Sequence, residues 1–215
     1  MKLRLAALAS AATVLAVPAA ASAATLRLDP AKPCFGTGDR LNFVGTGFTP
    51  GAIVDFARDG DRLRAEPPIR ADASGTVNAR LTVLKRHGRK VRTYAARDRS
   101  KPRNRASVRV TVSETTVALR PTTGRPTRIR RIAAVGFTTG RTLWAHVVRI
   151  PSGTVLRNVR LGRLRGPCHR LTARRRLFGG NPPTGRYLIQ FDTRRTYRRN
   201  VRQRDRYRFT VFGSR

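Results

Sequence analysis

Three histidines, two cysteines and eleven acidic residues are the side chains from which acid–base, nucleophilic or metal chemistry would have to be assembled. His87, His146 and His169 stand far apart, and none has a second His, Cys or carboxylate at metal-ligand spacing. His146 alternates with Trp144 and Val148, the pattern of one strand face, and reads as a packed, hydrogen-bonded histidine. Cys168 and His169 are adjacent, so on a strand their side chains leave opposite faces and a thiolate could not meet its base. There is no Gly-rich phosphate loop, nucleophile elbow or paired-carboxylate arrangement, and residues 116–215 hold only Asp192 and Asp205 as acids. The expectation is a non-enzymatic protein with no catalytic residues, no metal and no cofactor.

The N-terminus places Lys2 and Arg4 before an apolar run to Pro18, then Ala21-Ser22-Ala23, the small-residue spacing that a signal peptidase requires. No later segment offers the roughly 20 apolar residues of a membrane helix. No cysteine lies near the cleavage site to take a lipid, and there is no twin-Arg pair. Residues 1–23 therefore read as a cleaved signal peptide. The mature protein is expected to have no transmembrane segment and to be secreted, extracellular or loosely associated with a cell wall.

The elements that must position any site appear as a repeat. Thr25-Leu26-Arg27-Leu28-Asp29-Pro30 is echoed by Thr116-Val117-Ala118-Leu119-Arg120-Pro121, and Gly47-Phe48-Thr49-Pro50-Gly51 by Gly136-Phe137-Thr138-Thr139-Gly140. Each copy ends in an alternating strand, Val108 to Val112 and Tyr207 to Val211. Within each copy short alternating runs are punctuated by Gly, Pro, Asp and Asn, as antiparallel strands with one buried face require. Strands are expected near 25–29, 40–47, 52–58, 75–83, 91–97 and 107–113, and then near 116–120, 128–136, 142–150, 154–161, 168–174, 185–192 and 206–212. The fold class is all-β: two tandem immunoglobulin-like β-sandwich domains, 24–115 and 116–215, with an antiparallel barrel as the competing fold.

Gly45-Thr46-Gly47-Phe48-Thr49-Pro50-Gly51, followed by Ala71-Asp72-Ala73-Ser74-Gly75-Thr76, resembles the immunoglobulin-like modules of secreted actinobacterial proteins, including the neocarzinostatin-type fold. The resemblance covers residues 25–83 and touches the second unit through Gly136 to Gly140. It implies the sandwich fold and adds a small-molecule carrier to the functions to be weighed. Neocarzinostatin-type proteins shape their cleft with two disulfides inside one domain, whereas this chain has one cysteine per unit.

Export makes Cys34 and Cys168 a disulfide candidate. The turn after the first strand lies at the pole where the last strand exits, so Cys34 should face unit two, and Cys168 precedes a strand that starts at the pole facing unit one. A Cys34–Cys168 bridge across the waist is expected, with unpaired thiols or pairing between chains as the alternatives.

Charge is the outlier. The whole chain carries +35, and 41 of its 46 basic residues are Arg. Residues 116–215 carry +23, against +10 for 24–115. GC-rich codons would inflate both Arg and Ala without selection for binding, so composition and function compete as explanations. Two loops are dense, and both belong at the waist: Lys85, Arg86, His87, Gly88, Arg89 and Lys90 in unit one, and Arg194, Arg195, Arg198, Arg199, Arg202 and Arg204 in unit two. A third cluster from Arg97 to Arg105 should cap the far pole of unit one. The arginine fork suits phosphate and carboxylate, so the expected partner is an anionic cell-envelope polymer, an anionic lipid surface or extracellular nucleic acid. The alternative is a structural or protein-interaction module whose arginines are compositional.

Cleavage after Ala23 is expected to leave Ala24 or a neighbour as the first residue, which the mass of protein from a culture supernatant tests; recovery only from the cytosol with Met1 intact would remove the secretory reading.

Overall fold

The computed structural model describes residues 23–84 and 88–212. Residues 1–22 of the expected signal peptide and the loop residues Lys85, Arg86 and His87 thus lie outside the described residues.

Unit one runs β1 (Thr25–Leu28), β2 (Phe35–Gly36), β3 (Arg40–Thr46), β4 (Val54–Arg58), β5 (Asp61–Leu63), β6 (Val77–Thr82), β7 (Arg89–Asp98) and β8 (Arg105–Ser113). A sheet of order β1-β3-β6 faces one of order β2-β8-β7-β4-β5. Unit two runs β9 (Thr116–Arg120), β10 (Ile129–Val135), β11 (Thr142–Ile150), β12 (Val155–Arg163), β13 (Leu171–Arg176), β14 (Gly185–Asp192) and β15 (Asp205–Val211). Its sheets are β13-β10-β9 and β12-β11-β14-β15. The pairings between strands are antiparallel, except that the short β2 lies parallel to β8. Three strands facing four or five, with the second and sixth long strands on opposite sheets, is the immunoglobulin-like sandwich. The chain is all-β, with two such sandwiches in tandem.

Alternation builds each core. In β3, Leu41 and Phe43 point inward and meet Phe56, Val77 and Ala96 from neighbouring strands. In unit two Ile132, Leu143, Ala145, Val147, Leu161, Ile189 and Phe191 do the same. Tyr187 adds a marker of the fold: it is buried near the start of β14 and its hydroxyl donates to the Pro183 carbonyl at 2.5 Å, tying the strand to the turn that precedes it.

Three details differ from expectation. The short strands β2 and β5 carry too few residues for a period to be visible in sequence. The strand expected at 168–174 begins instead at Leu171, and Cys168 and His169 lie in the preceding turn, His169 with φ 50°. The two residues therefore do not share a strand, and the thiol is in a disulfide. The third is Arg130, which the outward placement of strand arginines does not anticipate. In β10 the alternation is unbroken but the residue types at its start are exchanged, with Ile129 exposed and Arg130 fully buried. The guanidinium lies 4.6 Å from the Phe209 ring centroid and donates to the carbonyls of Pro121, Thr123 and Arg125. Burial pushes its pKa down, helped by Arg128.

The two sandwiches are locked at the waist. Cys34 and Cys168 are bonded, with Cα atoms 5.1 Å apart, as topology predicts. Beside them Asp39 of unit one is buried and accepts from its own neighbour Gly36 N at 2.9 Å, from Thr138 Oγ1 at 2.5 Å and from Gln203 Nε2 at 3.0 Å. Thr138 and Gln203 belong to unit two, so one carboxylate is shared across the joint. The backbones meet so closely that a Cβ on Gly36 would stand 2.3 Å from the Gly136 carbonyl oxygen, which leaves room only for glycine. Replacing both cysteines with Ala should lower stability by about 2–4 kcal/mol in chemical denaturation; an unchanged midpoint would mean that the polar joint alone holds the units.

Candidate functional site

The loop that carries six of the predicted arginines joins β14 to β15 and does not simply project from the waist. It folds back over the outward face of the four-stranded sheet, and a polar rung on that face explains why. Asn158 of β12, His146 of β11, Gln190 of β14 and Arg206 of β15 stand opposite one another in register across all four strands. Their neighbours Ala145, Val147, Val159, Ile189 and Phe191 fill the core, so the rung faces outward. His146 and Gln190 are nevertheless fully or almost fully buried, because the loop covers them.

The rung bonds the loop by its backbone. Gln190 Nε2 donates to the Arg198 carbonyl at 2.9 Å and to Asp192 Oδ2 at 2.8 Å. Arg206 Nε donates to Gln190 Oε1 at 2.9 Å, and its Nη2 reaches the Arg199 carbonyl. Asp192 Oδ1 accepts from Arg194 N at 2.8 Å. The Tyr197 ring lies 5.9 Å from that of His146, and Val201 is buried. With carbonyls and apolar groups turned inward, Arg194, Arg195, Arg198, Arg199, Arg202 and Arg204 are all exposed. Among the described residues none of the six pairs with a carboxylate at ion-pair distance. The two acids of unit two are occupied: Asp192 within the rung, and Asp205 by Thr116 Oγ1, Val117 N and Arg206 N.

The predicted residues fall into two groups. Arg194, Arg195, Arg198 and Arg199 ride on the part of the loop that covers the sheet. Arg202 lies at the waist, its side chain packed against Gly38 of unit one, where a Cβ would meet Arg202 Cγ at 3.3 Å. Gly38 N in turn donates to the Val83 carbonyl at 2.8 Å, which leads into the basic loop of unit one. Arg89 and Lys90 are exposed at the start of β7, opposite Ser113 and Val112, on the same pole. The waist thus collects Arg89, Lys90 and Arg202, while Lys85 and Arg86 lie outside the described residues. Arg99, in the far-pole cluster, is tied by a salt bridge to Asp55 at 2.8 Å.

Both described histidines face neighbouring oxygens. His146 Nδ1 meets Asn158 Oδ1 at 2.6 Å and Nε2 meets Asp192 Oδ1 at 3.3 Å, so both ring nitrogens face oxygen acceptors beneath the loop. His169 Nδ1 faces the carbonyls of Phe137 and Gly140. Among the described residues no three His, Cys, Asp or Glu side chains converge as metal ligands would, and no helix is long and apolar enough to cross a membrane. Among the described residues, clefts of about 560 and 690 Å³ lie beside β4 and β5 of unit one, and Asp55, which lines both, already pairs with Arg62 and Arg99.

The rung was hidden in sequence. His146 was legible as a packed histidine, but Gln190 and Asp192 are ordinary polar residues until the register aligns them, and Gln203, which bonds both Asp39 and Thr138, belongs to a segment where arginines dominate.

No family model matches the chain, and no curated protein does. Among solved structures it is similar to the fibronectin(III)-like modules of Clostridium thermocellum CbhA, at 14% identity over 86% of this chain and 93% of that one, with a TM-score of 0.28. It is also similar to the teleost fish polymeric Ig receptor ectodomain, at 10% identity over 87% and 97% with a TM-score of 0.34. The human OSCAR ligand-binding domain matches at 13% identity over 89% and 97%, with a TM-score of 0.32.

Burial opposes the charged form of His146, but its hydrogen bonds to Asp192 and Asn158 outweigh it and hold its pKa above the ordinary value. The stability that this group contributes is therefore complete below the unfolded-state pKa of about 6.5 and is lost as pH rises through the higher folded-state value. Melting temperature should fall over that range in the parent, and His146→Gln should flatten the fall; identical pH profiles for the two proteins would show that the pair does not titrate with folding.

Proposed function

We propose that the chain is a non-enzymatic secreted or envelope-associated protein that binds an anionic polymer through its arginine-rich loops. The observation that carries this reading is the loop from Thr193 to Arg204: its backbone is bonded inward to the sheet, its guanidiniums face solvent, and neither acid of unit two pairs with them. A guanidinium array held on an ordered backbone loses less freedom on binding than one on a free loop, and its planar forks grip phosphate or carboxylate at two points. The waist residues Arg89, Lys90 and Arg202 extend the surface toward unit one. An anionic cell-envelope polymer is the leading partner. An anionic lipid surface and extracellular nucleic acid share the same chemistry.

A second reading, a structural or protein-interaction module, is favoured by β12. This edge strand of the four-stranded sheet exposes Val155 and Leu156, at 37% and 43% of their surface, where another chain could pair.

Binding to an anionic polymer should weaken steeply as salt rises, because each contact releases counterions. Exchanging Arg194, Arg195, Arg198 and Arg199 for Gln should lower both affinity and the salt slope. Each lost phosphate contact reduces the slope by about 0.9 for a duplex or about 0.7 for a single strand. The comparison is the same number of exchanges at exposed strand residues of unit one, Arg27, Arg80, Arg105 and Arg109. Equal losses from both sets would mean that net charge alone matters, and absence of binding near physiological salt would favour the compositional explanation.

A further inference from the structure

The other sheet of unit two carries a second arginine array. Arg120 of β9, Arg131 of β10 and Arg174 of β13 stand directly opposite one another on three neighbouring strands. One residue along, Leu119, Ile132 and Ala173 form the matching rung and point into the core, so the three guanidiniums leave the outer face, where all three are exposed. Arg176, opposite Ile129, lengthens the array along β13.

Directly opposed side chains on neighbouring strands have Cβ atoms about 4.5–5.5 Å apart, and like charges at that spacing oppose sheet formation. The fold itself does not ask for this arrangement. In unit one the rung Leu28–Phe43–Ala79 corresponds to Leu119–Ile132–Ala173, and the next rung is Asp29, Asn42 and Arg80, one acid, one amide and one base. Unit two has arginine at all three places, and with Asp192 and Asp205 bound elsewhere it has no carboxylate to set against them.

The two arrays look in opposite directions. The loop arginines lie over the outward face of the β12-β11-β14-β15 sheet, the rung lies on the outward face of the β13-β10-β9 sheet, and the sheets of a sandwich pack about 10 Å apart. A flat lipid surface can meet only one of these faces. A row of guanidiniums at strand spacing addresses charges repeated along one dimension, and the fork of each suits a phosphate.

We propose that unit two is a two-sided clamp that takes a linear phosphodiester polymer on each face and so bridges separate polymer strands. One of the two faces rests on the loop reading given above; the other, the Arg120–Arg131–Arg174 rung, does not depend on it.

The test uses the full chain, with a short oligothymidylate for stoichiometry by sedimentation and a long polythymidylate for light scattering. The rung variant Arg120→Asp/Arg131→Asn copies the rung that unit one already folds with, and its melting curve checks that it is folded. The loop variant carries Gln at 194, 195, 198 and 199. The parent should bind two oligomers and condense the long polymer, while each variant should bind one and leave the long polymer dispersed. A folded rung variant that still binds two oligomers and condenses the polymer would overturn the proposal. Binding of one oligomer that only the loop variant loses would leave the loop reading standing and remove the bridge. Loss in the rung variant alone would remove both the loop reading and the bridge, and a parent that binds no oligomer would remove both sites.

Discussion

Unit two folds with two carboxylates against twenty-five basic residues, and both carboxylates are used inside the structure. Asp192 gathers His146, Gln190 and the Arg194 amide, which anchors the long loop to its sheet. Asp205 accepts from Val117 N at 2.7 Å and so ties the first strand of the unit to its last. Each acid does a positional task, and neither neutralises the surface. The arginines remain compatible with folding because strand alternation puts nearly all of them in solvent, where ions screen their repulsion over roughly 10 Å at 0.1 M salt. Arg130 is the exception, and it is held by three carbonyls and an aromatic face instead of an anion.

Much of this was legible in the sequence because it follows from local periodicity. The paired motifs at Thr25 and Thr116 and the alternating runs identify the long strands, and chain polarity alone brings Cys34 and Cys168 to one waist. What could not be read depends on register. Asn158, His146, Gln190 and Arg206 lie far apart in the chain and become one rung, buried at His146 and Gln190, only when four strands align. The loop from Thr193 to Arg204 reads as a solvated charge run, and nothing in its composition says that its carbonyls are bound to the sheet beneath it. At Arg130 the local pattern misleads: the residue that belongs outside by type is inside, and Ile129 is outside. The turn at Cys168 runs almost directly into the basic, threonine-containing strand β13, so no residue type marks the boundary.

The polar joint and the loop are not separate features. Gln203 closes the loop and also bonds Asp39 and the Thr37 carbonyl of unit one, so the same twelve-residue connection covers the sheet and holds the waist. The orientation of the loop arginines is consequently set by both sandwiches, and loosening the joint would disturb the surface as well as the angle between the units. Gly36 and Gly136 make this close approach sterically possible.

The bond between Cys34 and Cys168 also decides how the chain would carry tension. It spans a sequence separation of 134 residues, which includes every strand of unit one after β1 and the first four strands of unit two. A pull applied at the two ends would pass along β1, cross the sulfur bridge and leave through β13, β14 and β15. The enclosed stretch would bear no load even if its strands came apart, and on the order of 450 Å of extendable chain would be withheld. Under force the molecule would behave as a short tether with a closed loop attached to its side.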